Sequence, residues 1–223
     1  CHGNQNGKGG FKLSLRGEDP DWDYAALTRD LANRRTNSLD PDASLALLKP
    51  LMQVPHEGGR RFAADALEHR ILRGWIEQGA RSDLERAPRL VALEVEPREV
   101  VLSEPANAVQ LHVLARLSDG SRRDVASLAV YDPVEPIVAV DHDGRITRTD
   151  FGETTVVVRF LEQQVPVRIA FVPARPDFVW NGPAPVNLID AAVFAKLKEL
   201  RIAPAPLCSD TEFLRRSTLD LLG

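Results

Sequence analysis

Val109-Gln110-Leu111-His112-Val113-Leu114-Ala115-Arg116-Leu117-Ser118-Asp119-Gly120 sets apolar side chains at every second position and stops at an Asp-Gly turn. A period of two puts Val109, Leu111, Val113, Ala115 and Leu117 on one face of an extended chain, so the stretch reads as a half-buried strand. The pattern spreads outward. Val91, Leu93 and Val95 alternate upstream. Further extended candidates lie at 137–140, 145–149, 154–160 and 165–171, separated by Asp143-Gly144 and Glu162-Gln163. Roughly seven short strands with no helical period between them predict an all-β sandwich over 88–173.

The flanks have a different period. Leu67, Ile71, Leu72, Trp75 and Ile76 form one stripe of a helix over about 64–79, with Gly79 as its cap. Before it come an irregular loop at Gly7, Gly9 and Gly10, the apolar cluster Ser44-Leu45-Ala46-Leu47-Leu48 ended by Pro50, and the turn Pro55-His56-Glu57-Gly58-Gly59. After the strands, Pro173, Pro176, Pro183 and Pro185 mark a stiff linker. Asn187 then caps a helix with Ile189, Val193, Phe194, Leu197 and Leu200 on one face. Ser209-Asp210-Thr211-Glu212 fits a capping box. Two such helices bury too little apolar surface to stand alone, so 185–223 reads as the start of a larger helical domain. The expected fold is multidomain: a small all-α region at 1–80, an all-β sandwich at 88–173, and an incomplete α-helical segment at 185–223. A first residue that is Cys, and a last helix just reaching Gly223, predict a piece of a longer protein.

Of 223 residues, 43% are hydrophobic and 27% charged, which is the composition of a folded chain and not of a disordered tail. A net charge of -4 argues against nucleic-acid and anionic-membrane partners, which need a basic surface. No apolar run approaches the ~18 residues of a spanning helix. Two cysteines, Cys1 and Cys208, make neither a disulfide framework nor a four-ligand zinc site. Cys208 has no His in its region to activate it and is expected as a small buried residue.

Chemistry concentrates at Cys1-His2-Gly3. These residues match the end of C-x-x-C-H, the haem attachment motif, whose first Cys would lie three residues upstream. An accidental pair and an acylated N-terminal Cys are the other two readings. Asp119, Asp124, Asp141 and Asp143 are read as hairpin-turn residues in preference to a calcium site. His69 is expected on the polar side of its helix, and His112 and His142 as structural or exposed residues.

Cys1-His2-Gly3, Gly-Lys-Gly-Gly-Phe at 7–11, Asp40-Pro41 leading to Ser44-Leu45, Pro55-His56-Glu57-Gly58-Gly59, and Leu72 to Ala80 together resemble the planctomycete-type cytochrome c domain. The resemblance covers about residues 1–80 and implies haem c, with Cys1 as a thioether Cys and His2 as the proximal iron ligand. Related domains often carry Met-Pro before the last helix, whereas this chain has Val54-Pro55-His56. His56, in a Gly-rich turn, is the preferred sixth ligand and Met52 the alternative.

Leu93-Glu94-Val95-Glu96-Pro97, Leu117 to Ser121 with Asp124-Val125, Val138 to Asp141 with Gly144, and Gly152 to Val158 resemble a bacterial Ig-like domain of the invasin and intimin group. Asn187 to Asp190, Val193-Phe194, Leu200-Arg201-Ile202, Cys208-Ser209-Asp210 and Phe213 to Asp220 resemble the start of an uncharacterised domain of planctomycete surface proteins. That last resemblance implies no activity.

These readings imply an exported protein, periplasmic or on the cell surface. The first expectation is a c-type haem electron-transfer module with an Ig-like spacer and an unidentified redox partner. The second is a surface adhesion or structural protein, with a degenerate haem region and an Ig-like domain that binds a glycan or protein. The third is an enzyme whose active site lies mostly in a C-terminal part beyond this chain. No paired carboxylates and no nucleophile–base set stand out, so no catalytic residue is assigned.

Overall fold

The computed structural model describes residues 2–3 and 7–222. Cys1 and the Gly223 cap lie outside them. Short helices occupy the N-terminal part: α1 (Pro20–Thr28), the single turn α2 (Asp30–Asn33), α3 (Leu45–Leu48) and α4 (Leu67–Glu77). Strands follow: β1 (Leu90–Glu96), β2 (Glu99–Ser103), β3 (Ala108–Gln110), β4 (His112–Leu117), β5 (Arg122–Asp124), β6 (Val130–Pro133), β7 (Val138–Val140), β8 (Arg145–Arg148), β9 (Gly152–Phe160) and β10 (Gln163–Val172). Two helices close the chain, α5 (Leu188–Glu199) and α6 (Asp210–Leu222).

The strands form three sheets, ordered β1-β4-β5, β2-β10-β9-β6 and β3-β8-β7. Pairing is antiparallel except for β2 beside β10. The sheets share one apolar core, built from inward residues such as Val95, Val113, Ile146, Val158, Val167 and Phe171. Burying each such side chain is worth about 1.5–3 kcal/mol, so this region holds most of the stabilising burial in the chain. The stretch read as one strand over 109–117 is two. Leu111 donates its N–H to Gly144 O at 3.0 Å, and the chain passes there from the β8 sheet to the β1 sheet.

The N-terminal helices are short, and each buries at most one residue. Asp19 accepts from Trp22 N at 3.0 Å and Pro20 opens α1. In α4 the buried residue is Ile76, Leu72 lines a cavity, and Ile71 is half exposed, so the stripe is narrower than its sequence. Gly79, at φ 90°, ends the helix in the left-handed conformation that glycine tolerates. On the outer side Arg73 holds both oxygens of Asp42 at 2.9 and 3.1 Å, fixing α4 to the turn before α3.

Asn187 caps α5 by accepting from Asp190 N at 2.8 Å, and Ser209 and Glu212 exchange the two bonds of a capping box at α6. Neither helix has a buried residue. Lys196 on α5 reaches Glu153 on β9 at 3.0 Å, so an ion pair is its link to the sheet. Cys208 is exposed, contrary to expectation, because the segment before α6 has no element packed over it. Among the described residues no helix is long and apolar enough to cross a membrane.

Candidate functional site

His2 and His56 come together across a cavity of about 530 Å³ in the helical region. Their imidazole planes lie 6° from parallel with ring centres 6.1 Å apart. Residues 8–13 pack back against His2. Leu13 N donates to His2 O at 2.9 Å, and Phe11 N donates to Lys8 O at 3.2 Å. That return places the Phe11 carbonyl 2.9 Å from His2 Nδ1. His56 is held the same way, with Nδ1 2.9 Å from the carbonyl of Gly59. A carbonyl only accepts, so each ring donates from Nδ1, and Nε2 is the nitrogen left for a ligand.

Gly58 lets the second ring sit there. A Cβ on Gly58 would come within 2.9 Å of His56 Cε1 and 3.1 Å of Nε2. Gly7 serves the first turn, since at φ 62° a Cβ would meet the Phe11 carbonyl oxygen at 2.3 Å. Lys8 and Glu57 join the two turns through a 2.8 Å ion pair. Their hydrogen bond raises the Lys8 pKa and holds the Glu57 carboxyl below its usual range.

Two chemistries line the cavity. Leu13, Leu27, Leu45, Pro50 and Leu72 give an apolar surface, while Lys8, Arg34, Arg35, Lys49 and Arg61 supply positive charge. None of the described lining residues is acidic. Arg35 is 6% exposed and lies with its guanidinium 4.3 Å from the Phe11 ring, which is itself 4.7 Å from the His2 ring.

Of the residues singled out by sequence, His2 and His56 are therefore brought together. Cys1 lies outside the described residues. Met52 is half exposed and does not line the cavity. His69 is half-buried beside Phe62, His112 is exposed, and His142 contacts α4. Asp119, Asp124 and Asp141 each cap a turn with Oδ1. Sequence reasoning missed Arg34, Arg35, Lys49 and Arg61. In the sequence they stand only as the pair Arg34-Arg35, as Lys49 after Leu45 to Leu48, and as the second of Arg60-Arg61.

No protein family and no curated protein matches this chain. Among solved structures, domains 4 and 5 of the S-layer protein SbsC are distantly similar, at 15% identity and TM-score 0.33 over 39% of this chain and 54% of that one. Domains 1–6 of the surface layer protein SbsC give 16% identity and TM-score 0.34 over 40% of this chain and 14% of that one. The chain thus spans about half the length of the first of these structures.

Proposed function

We propose that residues 1–80 form a c-type haem module for one-electron transfer, with His2 and His56 as axial ligands and Cys1 as a thioether attachment point. The observation that carries this is the pair of near-parallel rings lining one cavity, each held at Nδ1 by a backbone carbonyl. A metal–imidazole bond of about 2.0–2.1 Å, with about 1.1 Å more to the ring centre, separates two rings across one metal by roughly 6.3 Å. The observed separation is 6.1 Å. The donor set agrees. Among the described residues no cluster of three or more His, Cys, Asp or Glu is placed to hold a metal ion. Two imidazoles suit a macrocycle that brings four donors of its own. The volume falls within the roughly 300–1,000 Å³ usual for ligand cavities.

Haem would supply an iron that cycles between Fe(II) and Fe(III). The chain's own part is to hold two imidazoles by their Nδ1 atoms and to surround them with Leu and Pro side chains. Two nitrogen ligands set a lower potential than a His and Met pair would. In this reading 88–173 is an Ig-like spacer, 185–223 begins a helical domain, and the parent protein is exported.

A second reading is a surface structural protein in which the helical region is a degenerate appendage. Its support is the distribution of burial: the common apolar core lies in the β region, and the helical parts are thinly packed. One experiment separates the two. The chain is produced with its preceding residues and haem-attachment machinery. A covalent low-spin c-type spectrum, lost in His2→Ala, is expected. An apo product despite an intact C-x-x-C-H would reject the haem module and leave the structural reading.

A further inference from the structure

Five cations line the cavity, and they are not equivalent. Lys8 is neutralised by Glu57 at 2.8 Å. Arg34, Lys49 and Arg61 make no ion pair among the described residues. Arg61 Nη1 reaches only the Gly58 carbonyl, at 3.4 Å. Arg35 is the most constrained. Its side chain is 8% exposed, its Nη1 donates to Ala26 O at 2.7 Å, and its carboxylate partner is the half-exposed Asp30 at 3.9 Å. A guanidinium has five N–H donors, and Arg35 makes one hydrogen bond, to a neutral carbonyl, beside one distant carboxylate. A buried charge without close compensation is strongly unfavourable. Burial accordingly pushes the Arg35 pKa down, against the pull of Asp30.

We infer that Arg34, Arg35, Lys49 and Arg61 form the seat for the carboxylate groups of the cavity's ligand. The inference rests on the haem reading and adds to it the ligand's anionic groups and its orientation. Arg35 lies beside Phe11, whose carbonyl holds His2, and Arg61 lies by Gly58 next to His56, so cations stand at both His-bearing turns. A ligand held between the two imidazoles would meet these cations with its carboxylates, and Leu13, Leu27 and Leu72 would line its apolar part. Arg is suited to the task because its fork matches a carboxylate in two-point contact.

The test is a titration of the full apo chain with iron(III) protoporphyrin IX and with its dimethyl ester, which keeps the macrocycle and lacks the charge. Neither requires covalent attachment. Both are expected to give a low-spin bis-imidazole spectrum, with the free acid at least about tenfold tighter, the factor that one charge-assisted hydrogen bond supplies. The preference should shrink toward equality in the Arg34→Ala/Arg61→Ala double variant, whose residues are exposed and whose fold is not at stake. Arg35→Leu should do the same and is judged only if its circular dichroism is unchanged. Equal affinity for the two porphyrins in the parent chain, or a preference that survives the double variant, overturns the carboxylate seat and leaves the haem module standing. A chain that gives no low-spin complex with either porphyrin sinks the haem reading, and this inference with it.

Discussion

His142, on the turn between β7 and β8, donates from Nε2 to Glu68 Oε1 on α4 at 3.1 Å. Its Nδ1 lies 3.5 Å from Asp143. This contact joins the helical region to the β region. The hydrogen bond to Glu68, and then Asp143, raises the His142 pKa above 6.5 against its partial burial. The Glu68 carboxyl is held below 4.5 by its own backbone N–H, and by His142 against desolvation. The raised His contributes stability fully below 6.5 and loses it as pH rises through the folded value. The lowered Glu contributes fully above 4.5 and loses it as pH falls through its folded value. The contact is therefore strongest between pH 4.5 and 6.5. His142→Gln should lower Tm most inside that window and little at alkaline pH. An equal deficit at every pH would show that His142 contributes packing and no charge.

A different kind of stability holds the β region. Ile146 is fully buried on β8 between Val109 and Val140 of its neighbours. Ile146→Ala should cost about 2–5 kcal/mol in urea denaturation, the range for removing a buried branched side chain with a cavity left behind. The control Leu39→Ala, at a side chain 99% exposed, should stay within about 0.5 kcal/mol.

The break at Leu111 shows what alternation can and cannot reveal. Side chains keep their period of two when the chain leaves one sheet for another, so Val109 through Leu117 read as one strand although two sheets divide it. The β class was legible for the same reason, since burial follows the period whatever the partner. Helix α1 was not read because its apolar residues form no clear stripe, and its signal is the Asp19-Pro20 cap alone. In α5 the expected apolar face exists as a pattern, yet Ile189 and Val193 are exposed, because a pattern does not say whether a partner is present. At the site, His2 and His56 stood out as residue types with ligand chemistry. Arg34, Arg35, Lys49 and Arg61 share no period and no motif; only the folded loops bring them to one cavity.

The strap between the two His-bearing turns is a surface ion pair, and such pairs are individually weak and screened by salt. Lys8→Glu should set like charges against each other at Glu57 and loosen residues 7–11 and 56–59. Faster amide exchange at Phe11 and Gly59 would report it. The same change should follow Glu57→Lys, and Lys8→Glu with Glu57→Lys should restore slow exchange. If the double swap exchanges as fast as either single variant, the pairing of these two side chains does not hold the turns.

The sixth-ligand assignment can be tested through three positions whose expected effects differ. His56→Ala removes an imidazole whose ring centre is 6.1 Å from that of His2. In the haem-loaded chain it should open a coordination position and convert ferric low-spin iron to high-spin, with binding of added imidazole as rescue. Met52→Leu should leave the spectrum unchanged. Met52 is half exposed, does not line the cavity, and is replaced by a residue of similar volume. Gly58→Ala is the sharper probe, because the His56 side chain remains. The new Cβ would fall 2.9 Å from His56 Cε1, so the ring must move away from its place opposite His2. Gly58 has no positive φ, so the effect is steric and the backbone is not strained. Loss of the low-spin spectrum with little change in the apo chain's Tm would locate the effect at the ring. A spin change in Met52→Leu, with His56→Ala and Gly58→Ala both silent, would reverse the assignment in favour of the sulfur ligand.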